Sequence, residues 1–264
     1  MNKLSLGFIA IATSLSANVV KIEPLKTTPF NTNIQVEFDT NHSVLSRNDP
    51  IYFHLKSFPL GVNTYSESLM GLRQNPYGTT VLVVLNGEHR IYLKKVDSNP
   101  LKKDSQSYEK HFQKFLTTKI ARELKEGKNT ISVIPLTSYG ESVKLPKVIQ
   151  TKIVDFGKRT QRDPQLEEKL NRPYVLYNEP TGRYLKGEPV LLDFVLFNTT
   201  LSPGGNRVLV KIDGEQVALL DQYVPYKIHQ LPLGQHVIKI ALIDSKGISY
   251  PHPFCEQQCH ITVE

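Results

Sequence analysis

Apolar and polar positions alternate along much of this chain. Val208, Val210 and Ile212 are separated by more polar neighbours, the period of two expected of a half-buried β-strand, whose successive side chains point to opposite faces. Asp213-Gly214 follows, and Glu215-Gln216-Val217-Ala218-Leu219-Leu220 supplies a returning strand. Asn86-Gly87 ends a similar run earlier in the chain. Asx-Gly pairs tolerate the positive φ angles of a tight reversal, so each marks a hairpin. Nearer the C-terminus, Leu231-x-x-Gly234 turns the chain and Val237–Ile243 extends. Asp244-Ser245-Lys246-Gly247 turns it again before a last strand ending at His260–Val263. Short strands with frequent turn signals predict an all-β sandwich.

Three blocks of this pattern occur twice, in the same order. Asp49-Pro50-Ile51-Tyr52-Phe53-His54-Leu55 parallels Glu188-Pro189-Val190-Leu191-Leu192-Asp193-Phe194, and Pro76–Glu88 parallels Pro203–Glu215 without a gap. Leu124–Gly140 parallels Leu231–Gly247, with Ile131, Val133, Ser138 and Gly140 falling on Ile238, Ile240, Ser245 and Gly247. A spacing of more than 100 residues is too long for a solenoid unit and predicts duplicated domains, each a complete fold. The pattern L-x-x-G-x-H-x-I-x-I-x-L-x-D-x-x-G over 231–247 resembles the penultimate hairpin of bacterial immunoglobulin-like and fibronectin-type-III-like domains. The resemblance covers most of 173–264 and, more weakly, 30–155. It implies two tandem immunoglobulin-like β-sandwich domains without the core Trp and inter-sheet cysteine pair of antibody domains. The stretch from Leu191 to Gly247 also resembles exported bacterial proteins labelled phosphopeptide-binding, although no phosphate-binding constellation accompanies it.

The first residues read differently. Met1-Asn2-Lys3 precedes an almost wholly apolar run from Leu4 to Ala12 and small residues through Ala17. This is the grammar of a secretory signal peptide, expected over 1–16. The first domain is then expected over 17–156 and the second over 173–264. The polar, charge-mixed 157–172 is a linker with a helical turn after Pro164. The 264 residues and 39% hydrophobic content suit two domains with their own cores. The formal charge of +7 is unaccompanied by any RNA- or DNA-binding motif, so nucleic acid is not the expected partner.

The repeat acts as an internal control, because segments present in one copy alone are candidates for function. The first copy carries insertions within 57–74 and 94–118. The second insertion region is basic, through Lys94, Lys95, Lys102, Lys103, Lys110 and Lys114. Its Tyr108, Phe112, Phe115 and Leu116 recur at helical spacing, which predicts a short amphipathic helix. Such a face would recruit an acidic polysaccharide, an envelope component or an acidic protein, or would pack its aromatics locally and leave its lysines in water. In the first insertion, Phe58 and Tyr65 are candidate anchors.

Both cysteines, Cys255 and Cys259, lie in His252-Pro253-Phe254-Cys255-Glu256-Gln257-Gln258-Cys259-His260. Three readings stay open: a disulfide, free thiols, or a Zn or Cu site formed by His252, Cys255, Cys259 and His260. A disulfide requires a turn or bulge at 256–258, because an extended strand separates such residues by about 13 Å. No G-x-S-x-G, H-E-x-x-H, G-x-G-x-x-G or P-loop motif occurs. No cofactor is expected apart from that metal alternative. The expectation is therefore an exported, non-catalytic binding module. The alternatives are a metal-binding protein using the C-terminal cluster, and a carbohydrate-processing enzyme or accessory domain.

Overall fold

A computed structural model describes residues 20–28, 34–40, 42–95, 99–100, 112–117, 119–252 and 254–264. Its strands are β1 (Lys21–Pro24), β2 (Gln35–Thr40), β3 (Val44–Leu45), β4 (Ile51–Lys56), β5 (Thr80–Leu85), β6 (His89–Leu93), β7 (Asn99–Pro100), β8 (Phe112–Thr117), β9 (Gly127–Leu136) and β10 (Gln150–Phe156). After the helix α1 (Pro164–Asn171) come β11 (Tyr174–Glu179), β12 (Gly182–Tyr184), β13 (Val190–Phe197), β14 (Arg207–Ile212), β15 (Glu215–Leu220), β16 (Tyr226–His229), β17 (Gly234–Ile243) and β18 (Glu256–Val263).

These strands form four sheets, paired as two sandwiches. The first sandwich joins β2-β4-β8-β7 to β3-β10-β9-β5-β6, and the second joins β1-β16-β13-β11 to β12-β18-β17-β14-β15. The two sandwiches correspond strand by strand. Val83 on β5 pairs with Val133 on one side and Ile91 on the other; Val210 on β14 pairs with Ile240 and Ala218. The short strands β3 and β12 each lie parallel to the last strand of their own sandwich. The architecture is thus an all-β, immunoglobulin-like fold. Both predicted hairpins have the dihedrals that their Asx-Gly pairs permit, φ 52° and 75° at Asn86-Gly87 and 53° and 88° at Asp213-Gly214. Alternation puts Val36, Phe38, Phe53, Leu55, Val81 and Val83 into the first core, and Val175, Phe194, Val208, Val210, Ile238 and Ile240 into the second. In the linker, the Asp163 side chain accepts a bond from the backbone N–H of Leu166 at 3.0 Å, with Pro164 in the first turn, and so starts α1.

Two expectations are corrected. Residues 21–24, assigned to the first domain by their place in the chain, form β1 and pair antiparallel with β16 of the second sandwich. β1 occupies there the position beside β16 that β7 takes beside β8 in the first sandwich. The basic insertion is not helical where it is described. Residues 112–117 form β8, which runs antiparallel to β4 with Phe115 opposite Phe53. Backbone pairing with an exposed sheet edge outweighs the helical spacing of three aromatics, since a window of a few residues does not fix the period.

Candidate binding cleft between the sandwiches

The site begins with a strand that has no polar face. β5 reads Thr-Val-Leu-Val-Val-Leu and is buried at every position. Val81, Val83 and Leu85 fill the first core, while Leu82 and Val84, with Ile134 and Leu136 of β9, pack into the core of the second sandwich. The two domains therefore share apolar surface instead of being strung on a free linker.

Polar groups fix how the domains meet. Asp193, wholly buried on β13, forms an ion pair with the buried ammonium of Lys144 from the first domain. Its other oxygen accepts bonds from the backbone N–H of Ser142 at 3.0 Å and from Asn178 Nδ2 at 2.7 Å. Asn178 also donates to the carbonyl of Gly140 at 2.7 Å. Arg90 of β6 donates to the backbone carbonyls of Tyr177 and Asn178, covering the otherwise open edge of β11. The segment after β1 crosses the same junction. The backbone N–H and hydroxyl of Thr28 donate to the buried carboxylate of Glu141, and Leu25 joins Leu69, Leu72 and Leu191 in a small apolar cluster.

Above this junction lies a cleft of about 230 Å³ with walls from both domains. The first domain contributes Leu72, Arg73, Gln74, Asn75 and Pro76, with Tyr92, Leu136, Tyr139 and Gly140. The second contributes Glu179, Thr181, Tyr184, Pro189 and Leu191. The first insertion is held in place by Thr64, whose hydroxyl and backbone N–H bond the Ser138 hydroxyl at 2.9 and 3.0 Å. Just beyond it, the Asn75 N–H donates to the Ser138 carbonyl at 2.6 Å. Arg73 lies over the Tyr184 ring at 4.4 Å, pairs with Glu188 at 3.2 Å and donates to the carbonyl of Arg183. The hydroxyl of Tyr92 is buried in the neighbourhood of Arg90 and Thr181 and, among the described residues, has no hydrogen-bond partner of good geometry. The Glu179 carboxylate takes its hydrogen bonds from Thr181, whose hydroxyl lies at 3.1 and 3.3 Å. Met70, Tyr77 and Leu185 are exposed large apolar residues, each within two positions of a lining residue.

Burial dominates the electrostatics of this region. It pushes the Glu179 carboxyl up to about 7, against the Thr181 hydrogen bond and Arg90, and pushes Glu141 up to about 7, against Lys144 and Thr28. The folded state thus binds more protons than the unfolded chain between the ordinary glutamate value and about 7. The stability these protons contribute is full below that window and is lost as pH rises through it. Urea denaturation should give a lower stability at pH 8 than at pH 5, by on the order of a few kcal/mol, because a tenfold change in proton affinity is worth about 1.4 kcal/mol and Glu179 is only partly enclosed. His236 is raised by Asp213 and Pro232 against desolvation and acts in the same direction, while desolvated His252 is lowered and opposes it. The Glu141→Gln/Glu179→Gln double variant should remove most of the pH 5 to pH 8 difference; an unchanged difference would show that these carboxyls do not titrate there.

The sequence-derived site residues are distributed unevenly around the cleft. Tyr65 is 70% exposed and available for contact. Phe58 is not an anchor: at 1% exposed it belongs to the first core. Its ring faces inward because the insertion folds back, with the Gly61 N–H bonded to the Thr79 carbonyl at 2.9 Å. Lys94 places its ammonium 3.5 Å from the centre of the Tyr77 ring, and Lys95 runs beside Gly61. Lys114 belongs to β8, opposite His54, and Lys102, Lys103 and Lys110 lie outside the described residues.

The C-terminal cluster is dispersed. β18 runs extended from Glu256, so no turn brings Cys255 and Cys259 together, and of the three readings left open for them both are free thiols. Cys255 donates to the Pro173 carbonyl at 3.3 Å, and burial pushes its thiol up to about 11; Cys259 meets the Tyr177 hydroxyl. His252 stacks on Tyr174 with ring centres 4.9 Å apart, whereas His260 is exposed on the strand. The four proposed ligands are therefore not convergent. Among the described residues no group of three or more His, Cys, Asp or Glu side chains is placed to hold a metal ion.

Sequence reasoning passed over Tyr92, Tyr139, Glu141, Lys144, Glu179 and Asp193. One signal was present: Asp193 interrupts the run Val-Leu-Leu-Asp-Phe-Val-Leu-Phe, and a carboxylate inside a buried strand requires a partner.

No protein-family model matches this chain, and no curated protein matches it. Solved structures resemble it distantly. Fibronectin(III)-like modules of Clostridium thermocellum CbhA are 15% identical, covering 34% of this chain and 96% of theirs, with a TM-score of 0.28. The central fibronectin-III array of RIM-binding protein is 11% identical, covering 89% of this chain and 70% of that one, with a TM-score of 0.26. SGBP-B of the Bacteroides ovatus mixed-linkage glucan utilization locus, solved with a mixed-linkage heptasaccharide, is 10% identical. That match covers 87% of this chain and 46% of SGBP-B, with a TM-score of 0.21. The fold assignment of this chain rests on its own strand pairing.

Proposed function

We propose that this protein is an exported, non-catalytic binding module whose inter-domain cleft holds one sugar residue of a larger carbohydrate. The partnerless Tyr92 hydroxyl, buried at the wall of a cleft shared by two docked domains, carries this reading. A buried hydroxyl without a partner is costly, and a ligand hydroxyl removes that cost. The volume of about 230 Å³ lies below the usual range for drug-sized ligands and suits a single ring. Tyr139, Gln74 and Asn75 supply the aromatic and amide surface that such a ring requires. Among the described residues that line the cleft, Glu179 is the single carboxylate. Among the described residues no helix is long and apolar enough to cross a membrane. The first insertion contributes to the cleft wall, which agrees with a functional role for what the second copy lacks.

The test uses the full chain and a panel of envelope and plant polysaccharides in calorimetric titration. Tyr92→Phe should weaken binding by about tenfold, one hydrogen bond, while leaving stability unchanged or about 1 kcal/mol higher, because the deleted hydroxyl had no partner in the free protein. Tyr139→Ala should weaken the same interaction. Binding indifferent to both substitutions, or no binding to any polysaccharide, would sink this reading.

A further inference from the structure

Glu179 is a wall of the cleft and, among the described residues, forms no ion pair, while the charge of Arg90 acts on it without contact. Its oxygens take hydrogen bonds from Thr181, a neutral residue. Two arginines of this region direct their hydrogen bonds elsewhere. Arg90 holds the backbone carbonyls of Tyr177 and Asn178, and Arg73 holds Glu188, the Arg183 carbonyl and the Tyr184 ring. A third cation, Lys144, is taken by Asp193. Among the described residues no Lys or Arg forms an ion pair with this carboxylate, which stands at a ligand-sized opening. Burying a carboxylate without a partner is expensive, so a cationic ligand group gains both the ion pair and the relief of that cost. Tyr92 lines the same space, and a phenol hydroxyl accepts from an ammonium as readily as it bonds a sugar hydroxyl. Tyr139 presents a ring whose face favours positive charge.

We infer that the cleft selects an amino sugar, with the ligand's protonated amine on the Glu179 carboxylate and its ring hydroxyls toward Tyr92, Gln74 and Asn75. This deepens the carbohydrate reading and rests on it. The neutral N-acetyl form of the same sugar presents an amide at that position and forfeits the ion pair. An equatorial neutral hydroxyl there does the same.

The experiment compares glucosamine, N-acetylglucosamine, glucose and Nα-acetyl-lysine amide as ligands of the full-chain protein by calorimetry at pH 7.5. Glucosamine should bind about tenfold more tightly than either neutral sugar, the gain from a hydrogen bond to a charged group. Glu179→Gln should abolish that preference, so that glucosamine and the two neutral sugars bind the variant within about twofold of one another. This variant retains the shape of the side chain, and its thermal midpoint verifies the fold. Equal binding of the three sugars would overturn the amine assignment and leave the carbohydrate reading standing. A lysine derivative that binds as tightly as glucosamine would overturn the sugar assignment. Binding of none of the four would count against the cleft as the ligand site, and so against the carbohydrate reading too.

Discussion

Asp193→Ala is expected to destabilise the protein by about 3–5 kcal/mol, read as a lowered urea midpoint at unchanged slope. The side chains of Asp193 and Lys144 are 0% and 3% exposed. Removing the carboxylate strands a buried ammonium, an N–H of Ser142 and an amide proton of Asn178 at once. The loss also crosses the domain junction, since Lys144 and Ser142 belong to the first sandwich and Asn178 and Asp193 to the second. The charge pair itself need not be worth that much. Its desolvation offsets most of its attraction, so replacing both partners with apolar groups of similar size should cost far less than deleting one. The Asp193→Leu/Lys144→Met double variant should therefore recover most of the stability lost in Asp193→Ala. A single variant that costs under about 1 kcal/mol would show the pair to be solvated and the junction to be loose.

The same strand, with its neighbours, shows what was legible in the sequence. The repeat could be read because strand register and turn chemistry are local: Val83 and Val210 occupy equivalent places, and both Asx-Gly pairs turn as their backbones allow. The docking of the domains was also written locally, in the contrast between copies. Lys211 and Lys239 stand in the second copy where Val84 and Ser132 stand in the first. β14 therefore alternates, whereas β5 is apolar from Val81 to Leu85, and an unbroken apolar run in a strand is one buried on both faces. β1 was not legible, because a four-residue strand added to the other domain is a long-range pairing that nothing in Lys-Ile-Glu-Pro announces. Nor was the cleft, which gathers 72–76, 92, 136–140, 179–184 and 189–191 without a motif in any of them. The free thiols follow from the extended course of β18, which excludes the turn that a disulfide needs.

Gly87→Ala should be the most damaging change available at a hairpin, and Gly214→Ala supplies its control. Both glycines sit at the second position of an Asx-Gly turn with positive φ, 75° and 88°. Either alanine meets the left-handed penalty, about 1–2 kcal/mol. Only Gly87 is also at the junction. A Cβ there would fall 2.1 Å from Phe254, far inside contact, whereas at Gly214 nothing lies within 4 Å. The Gly87 carbonyl also accepts from Gln257 Nε2 at 3.0 Å, so the turn cannot retreat without giving up that bond. Crowding of this kind adds about 1–3 kcal/mol. Gly87→Ala should therefore cost about 1–3 kcal/mol more than Gly214→Ala in matched urea titrations, and Phe254→Ala should erase much of the difference by opening space for the methyl group. The comparison isolates docking from folding, because the turn chemistry is the same in both copies and only one of the two turns touches the other domain. Equal costs at the two glycines would mean that the Asn86-Gly87 turn does not rest on β18, and that the domain junction has no such foundation.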